Sequence, residues 1–389
     1  MINTLVFVLC LVTSGASPVV YGIENIFKED LELEQQLKII NKPSIKTIHT
    51  KHGDIVDCID INKQPAFDHH LLKNHKLQKK PNFQRRIKET SVKKLSDRSI
   101  FGLDKQQRCP KGTVPILRTT KKDFIREKNL LNSSIFVQNI PGVHLAEVAV
   151  SPKFGPYFSV GGDNSVYNPY VTKGQMSLSH IWVQNGPINS ANKISFGWHV
   201  SPELYGDHDT HMYTSWTSDN YHRTGCFNIR CPGFVQTHRG SYIGSRETNI
   251  SFYGGPIFGF YSSITQDPLT KNWWIGSLDY NIGYFPAKLF SNLGSANKVG
   301  LGGRTLTLSG YRSPPMGSGH FPDRNFFHAS FYKLIFIQNV SRENYIPEKY
   351  QIEKYIDKPK CFGLSYYGNL RGNYGGALQF GGPGGNCGN

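Results

Sequence analysis

A chain of 389 residues that is 38% hydrophobic, 13% aromatic and 19% charged has material for two ordinary domains and excludes a disordered tail protein. Lys plus Arg number 44 against 28 Asp plus Glu, a net charge of +16 that by itself points to nucleic acid, an anionic membrane or an acidic polymer. Residues 73–128 hold 18 of the basic residues and 5 of the acidic ones, so the charge is concentrated in one stretch and the remainder is close to neutral.

The first residues carry an apolar run from Leu5 to Val12 followed by Ser14, Gly15 and Ala16, the pattern of a secretory signal peptide over residues 1–16. The run is far shorter than the ~20 residues that span a bilayer, and no later segment is apolar enough, so no membrane anchor is expected. Loss of Cys10 with the signal leaves Cys58, Cys109, Cys226, Cys231, Cys361 and Cys387, an even set that suggests three disulfides in an oxidising compartment. Sequons at Asn132, Asn249 and Asn339 are glycosylation candidates in the same compartment.

Residues 24–40 place Ile26, Leu33, Leu37 and Ile40 near one helical face, which predicts a short helix. IKTIHT and DIVDCIDI then read as two strands around the turn Lys51-His52-Gly53-Asp54. Residues 63–128 have little periodicity and dense positive charge, so a solvated or cleavable basic segment is expected, with a processing site in RTTKKDFIREK. From about Val143 short runs rich in Val, Ile, Tyr, Phe, Trp and Ser alternate with Gly, Pro, Asn and Asp clusters, which predicts an all-β region of antiparallel sheets packed face to face. Ala287–Leu293 alone looks helical there, and the Gly-rich tail from Cys361 reads as an extended segment tied back by its cysteines.

Several longer strings carry a resemblance. DCIDINKQPAFDHHLLKNHKLQ and CPKGTVPI resemble the activation segment of the plant neprosin family, and GWHVSPELYGD, WTSDNYHRTGCFNIRCPGFVQT, NWW, GYFPAKLF, MGSGHFP and GGPGG resemble its catalytic domain. The resemblance implies a secreted plant protein with a pro-region (17–128), a β-sandwich of glutamic-peptidase type (129–389) and cleavage after proline at acid pH in active members. It also implies the pairings Cys58 to Cys109, Cys226 to Cys231 and Cys361 to Cys387, of the fifteen that six cysteines allow.

Such a peptidase needs a carboxylate that takes a proton from water and a partner for the developing oxyanion. Both are glutamates in active relatives; the matching positions here are Ser195 and Arg304. Arg stays protonated and a Ser hydroxyl is no base, so no catalytic residue of the family is intact. Glu203, Glu247, Asp219 and Asp207 are the carboxylates weighed as substitutes, with turn roles favoured for the aspartates. His180 is weighed as a partner for Ser195 against a plain strand-surface role, and His180, Trp198, Trp216 and His320 are taken as possible cleft residues. His199, His208, His211 and His222 match no ligand spacing, and neither a metal nor a cofactor is expected. Trp273-Trp274 and Tyr280–Phe285 are read as core aromatics in preference to a groove for proline rings or sugars.

Loss of both glutamates favours a pseudopeptidase with a groove for proline-containing peptides. An acid prolyl endopeptidase with a rearranged site and a module for acidic cell-wall polysaccharide are the alternatives, and nucleic acid is disfavoured by the signal peptide. Arg304 facing the groove would give it a preference for an acidic group, unless Arg304 turns outward or pairs with a carboxylate such as Asp279.

Overall fold

The computed structural model describes residues 31–83, 97–98, 101–130, 141–277 and 280–388. The signal peptide, Ile26, the Asn132 sequon and Asp279 lie outside the described residues.

Residues 31–40 are helical, with Leu33 buried and Leu37 and Ile40 half-buried on one side, as their spacing predicts. β1 (Lys46–His49) and β2 (Ile55–Asp60) pair antiparallel around Gly53, whose φ of +85° explains the glycine. β4 (Thr113–Leu117) completes this small sheet beside β2, and Cys58 is bonded to Cys109 next to it. β3 (Asp97–Arg98) adds two parallel residues to a later sheet.

The expected solvated segment is instead docked along residues 63–83, in two single turns at Pro65–Asp68 and His70–Leu72. Its lysines hide irregularly spaced apolar anchors. Ala66, Phe67, Leu77 and Phe83 pack on Val235, Trp274 and Tyr284, and Leu72 enters the main core. Polar pairing completes the contact: Gln64 accepts from the Gln236 amide at 2.7 Å and donates to its carbonyl at 3.1 Å. Asp267 accepts from the Asn82 amide at 2.6 Å and from Gln78 at 2.8 Å. The basic run is also structured, as a helix at Lys121–Leu130, and Arg118 grips Asp57 through two nitrogens.

Beyond residue 141 the chain forms β5 (Val143–Val150), β6 (Ser159–Ser165), β7 (Met176–Asn185), β8 (Asn192–Val200), β9 (Thr210–Thr217), β10 (Cys226–Phe227), β11 (Val235–Gln236), β12 (Phe258–Gln266), β13 (Trp273–Gly276), β14 (Asn281–Phe285), β15 (Lys298–Leu306), β16 (Ser330–Gln338), β17 (Asn344–Tyr345), β18 (Ile352–Ile356), β19 (Gly363–Asn369) and β20 (Gly376–Gly381). A seven-stranded sheet runs β10-β9-β8-β7-β15-β5-β18, and the second sheet runs β11-β14-β13-β12-β6-β16-β20-β19, with β17 and β3 at its sides. Alternate residues supply one core: Val148 and Val150, Ile181 and Val183, Ile194, Phe196 and Trp198 from the first sheet meet Phe260, Ile264, Phe331 and Ile337 from the second. The expected all-β sandwich is therefore present.

Three elements differ from the reading of the sequence. β6 is made of Ser, Gly, Asp and Asn with a single Val, so its burial inside the sheet is invisible to a hydrophobic pattern. The Gly-rich tail is not merely extended: β19 and β20 form an antiparallel pair, closed by Cys361–Cys387, that belongs to the second sheet. Ala287–Leu293 contributes only a single turn, Ala287–Leu289. Trp273, Trp274, Tyr284 and Phe285 are fully buried, so no groove is built from them.

Strand spacing is tight where β8 crosses β7, because a Cβ on Gly197 would collide with the Ser179 carbonyl oxygen. Gly197→Ala is expected to lose about 1–3 kcal/mol through overpacking, read as a lower melting temperature. An unchanged melting temperature would contradict this register.

Candidate functional site

The seven-stranded sheet has two faces, one toward the core and one carrying chemistry. Residues opposite one another in register share a face. Glu147 of β5, Gly302 of β15, His180 of β7, Gly197 of β8 and Tyr213 of β9 form one such row, away from the main core. The flanking positions Gly302 and Gly197 carry no side chain, and the His180 ring meets groups two strands away on either side. Nε2 meets Glu147 Oε1 at 2.7 Å, and Nδ1 meets the Tyr213 hydroxyl at 2.9 Å.

Arg304 lies two residues beyond Gly302 on β15 and turns back onto the same carboxylate. Its Nε donates to Glu147 Oε1 and its Nη2 to Oε2 at 2.9 Å, a bidentate pair with both side chains fully buried. Burial alone would raise the Glu147 carboxyl; the Arg304 guanidinium and His180 override it and hold the group well below the ordinary range. Burial likewise pushes His180 down, to about 4, against the pull of Glu147. The His180–Glu147 contact is accordingly a hydrogen bond from a neutral ring: ionised Glu147 can only accept, so Nε2 carries the hydrogen, and Nδ1 accepts from Tyr213.

Ser195 lies on the same face, opposite Trp182 and Ser215, and its buried Oγ has no hydrogen-bond partner among the described residues. It is not paired with His180, whose two ring nitrogens are directed to Glu147 and Tyr213. Ser195 and Arg304 thus share a face, but Arg304 meets Glu147, a residue that sequence reasoning passed over because it sits within the apolar strand HLAEVAV. A lone acid facing the same side as Arg304 was the available signal.

Both tryptophans taken as cleft residues are core residues. Trp198 projects to the opposite face and donates from Nε1 to the Ser165 carbonyl at 3.0 Å. Trp216 packs in the same core, against Phe290 and with its edge to His69 of the N-terminal lobe. His320 is exposed and its ring lies against Tyr253, not against the Glu147–Arg304 cluster.

The weighed carboxylates all have structural partners elsewhere. Glu203 accepts from the Gly174 amide, and Asp219 holds a turn by accepting from the Arg223 and Thr224 amides. Asp207 pairs with His211 and Arg246. Glu247, which burial pushes up to about 7, accepts from the amides of Thr248 and Asn249. Among the crowded histidines, His199 bonds Tyr205, His208 bonds the Val171 carbonyl and His222 is exposed. Among the described residues no group of three His, Cys, Asp or Glu side chains is placed to hold a metal. A cavity of about 220 Å³ lies between Arg118, Asp123 and Arg126 of the N-terminal lobe and Tyr205, Asp207 and Arg230 of the sandwich, away from Arg304. Cys226–Cys231 closes a short loop, and Asn249 and Asn339 are half-buried.

Comparison with known proteins places these observations in a family. The neprosin family model matches residues 173–383, and the model of the neprosin activation peptide matches residues 47–143. Similar solved structures include scytalido-glutamic peptidase with a peptide-based transition-state analogue, at 9% identity and a TM-score of 0.34, covering 63% of this chain and 99% of that one. Another is SCP-B, a member of the Eqolisin family of peptidases in complex with the tripeptide Ala-Ile-His, at 7% identity and a TM-score of 0.32, covering 62% of this chain and 98% of that one.

Breaking the buried pair from one side leaves Arg304 without its counter-charge, so Glu147→Gln is expected to cost about 3–5 kcal/mol of stability. The pH dependence has a definite sign. His180 binds its proton near 4 in the folded chain against 6.5 ordinarily, and Glu147 is also depressed, so stability is full above 6.5 and falls as acid protonates the unfolded chain first. Melting temperature measured against pH should decline between 6.5 and 4, and less steeply in His180→Gln. A flat wild-type profile over that window would contradict the neutral, buried His180.

Proposed function

The chain belongs to the neprosin family, and from that premise we propose that it is a secreted, catalytically impaired peptidase that keeps a groove for proline-containing peptides. One observation carries the reading: the residue at the second glutamate position, Arg304, is locked onto Glu147. Hydrolysis of this type needs a carboxylate free to take a proton from water, a contribution of roughly 10²–10⁴ in rate. Glu147 has both oxygens engaged and is a weaker base than an ordinary glutamate. Arg304, already protonated, can accept no proton, and among the described residues the Ser195 hydroxyl has no hydrogen-bonded base to activate it.

Three disulfides support an extracytoplasmic site of action, and the half-buried Asn249 and Asn339 remain candidates for glycosylation. The groove reading rests on the family. Polysaccharide binding by the basic segment draws less support, because Arg118 and Arg126 are paired with Asp57 and Asp123.

Incubation of the purified protein with a quenched proline-containing peptide between pH 2.5 and 7 tests the proposal. No cleavage is expected, and the protein should also remain full-length. Acid-dependent cleavage that disappears in Glu147→Gln would establish a rearranged active site instead.

A further inference from the structure

The N-terminal lobe enters the sandwich instead of resting on it. Phe101 is 2% exposed and sits in the main core, edge-on to Phe260 with ring centres 4.7 Å apart, and Leu72 joins the same core. Phe260 in turn meets Phe196 of the other sheet, so Phe101 extends the stack of rings that joins the two sheets. Leu103, with the bonded Cys58 and Cys109, packs on Tyr242.

Backbone groups pair across the same boundary. The Leu103 amide donates to the Gly240 carbonyl at 2.9 Å and the Cys109 amide to that of Arg239 at 2.9 Å, while Arg239 donates from Nε to the Cys109 carbonyl at 2.7 Å. Gly102 permits this approach: its φ is +119°, and a Cβ there would lie 2.4 Å from the Gly240 oxygen. β3 lies beside Phe258 and Gly259 of β12. Departure of the lobe would strip these backbone groups of their partners and bare Tyr242, Phe260, Trp274 and Tyr284, all of them buried.

The disulfides leave this attachment non-covalent. Cys58–Cys109 lies within the lobe, and Cys226–Cys231 and Cys361–Cys387 lie within the sandwich. An ion pair crosses at Asp54 and Arg246, 3.3 Å apart, but the apolar and amide contacts are of a kind that salt does not screen. We propose that the lobe is a resident subunit of the folded unit and not a removable pro-segment, so that cutting the chain between the helix at Lys121–Leu130 and β5 yields a two-chain protein whose parts stay together. The surface that Gln236, Arg239, Gly240, Tyr242, Trp274 and Tyr284 present to the lobe is then a permanent interface, closed to exchanging partners. This holds whether or not the Arg304 face binds peptide.

The test uses the full chain with a site-specific protease sequence, flanked by Gly and Ser, inserted between residues 134 and 135. Complete cutting is verified as two bands on a denaturing gel. Gel filtration of the cut protein at neutral pH in about 0.5 M sodium chloride, where exposed ion pairs are screened, is expected to give one peak holding both fragments at the position of the uncut chain. Calorimetry should show one joint melting transition that rises with protein concentration in the cut protein and stays fixed in the uncut one, because unfolding is then coupled to dissociation. Phe101→Ala should lower that joint transition and release the lobe on dilution. A lobe fragment that elutes alone from a sandwich with its own cooperative transition overturns the proposal, and so does a transition in the cut protein that ignores concentration. Retention unchanged in Phe101→Ala overturns the part assigned to the shared core.

Discussion

The chemistry-bearing face depends on one buried ion pair, Arg304 with Glu147. A charge without a partner at that depth would cost several kcal/mol, so the presence of either residue requires the other. The pair also constrains its surroundings. It fixes Glu147 as an acceptor, which fixes the hydrogen on His180 Nε2, which in turn directs the Tyr213 hydroxyl to Nδ1. The proposed pseudopeptidase would thus owe its inactivity to more than two missing glutamates, because the carboxylate on this face is held in a self-satisfied network.

The network is possible because of backbone placement. Side chains two strands apart do not normally meet, yet His180 reaches both Glu147 and Tyr213 across Gly302 and Gly197, which carry no side chain. Trp182 uses the same device one step along, lying where a Cβ on Gly300 would stand. The other face of these strands is committed to the core through Ile181, Ile194, Phe196 and Trp198, so the sheet cannot slip without exposing one set and burying the other. The N-terminal lobe is anchored separately, through Gln64, Asn82 and Gln78 on the second sheet.

Much of this was legible in the residues. Alternating strands and the turn at Gly53 follow from pattern. Parity could have gone further: Ser195 and Trp198 are three apart on one strand and so must face opposite ways, which removes Trp198 from the cleft. Glu147 was hidden for a physical reason, because a buried acid is expected only beside a cation and its cation lies 157 residues away. β6 and the tail hairpin were hidden because glycine and serine fill sheet interiors where bulky neighbours leave no room, which no hydrophobic period records. The docking of residues 63–83 was masked by lysines around a few irregular anchors.

The ionisation of Glu147 tests the account most directly. The carbon-13 resonance of its side-chain carboxyl, followed by NMR as the protein is acidified, should remain that of a carboxylate well below the ordinary glutamate value of 4.5. Protonation at or above that value would mean that Arg304 does not hold it, and that a carboxyl group capable of acid chemistry is still present on this face.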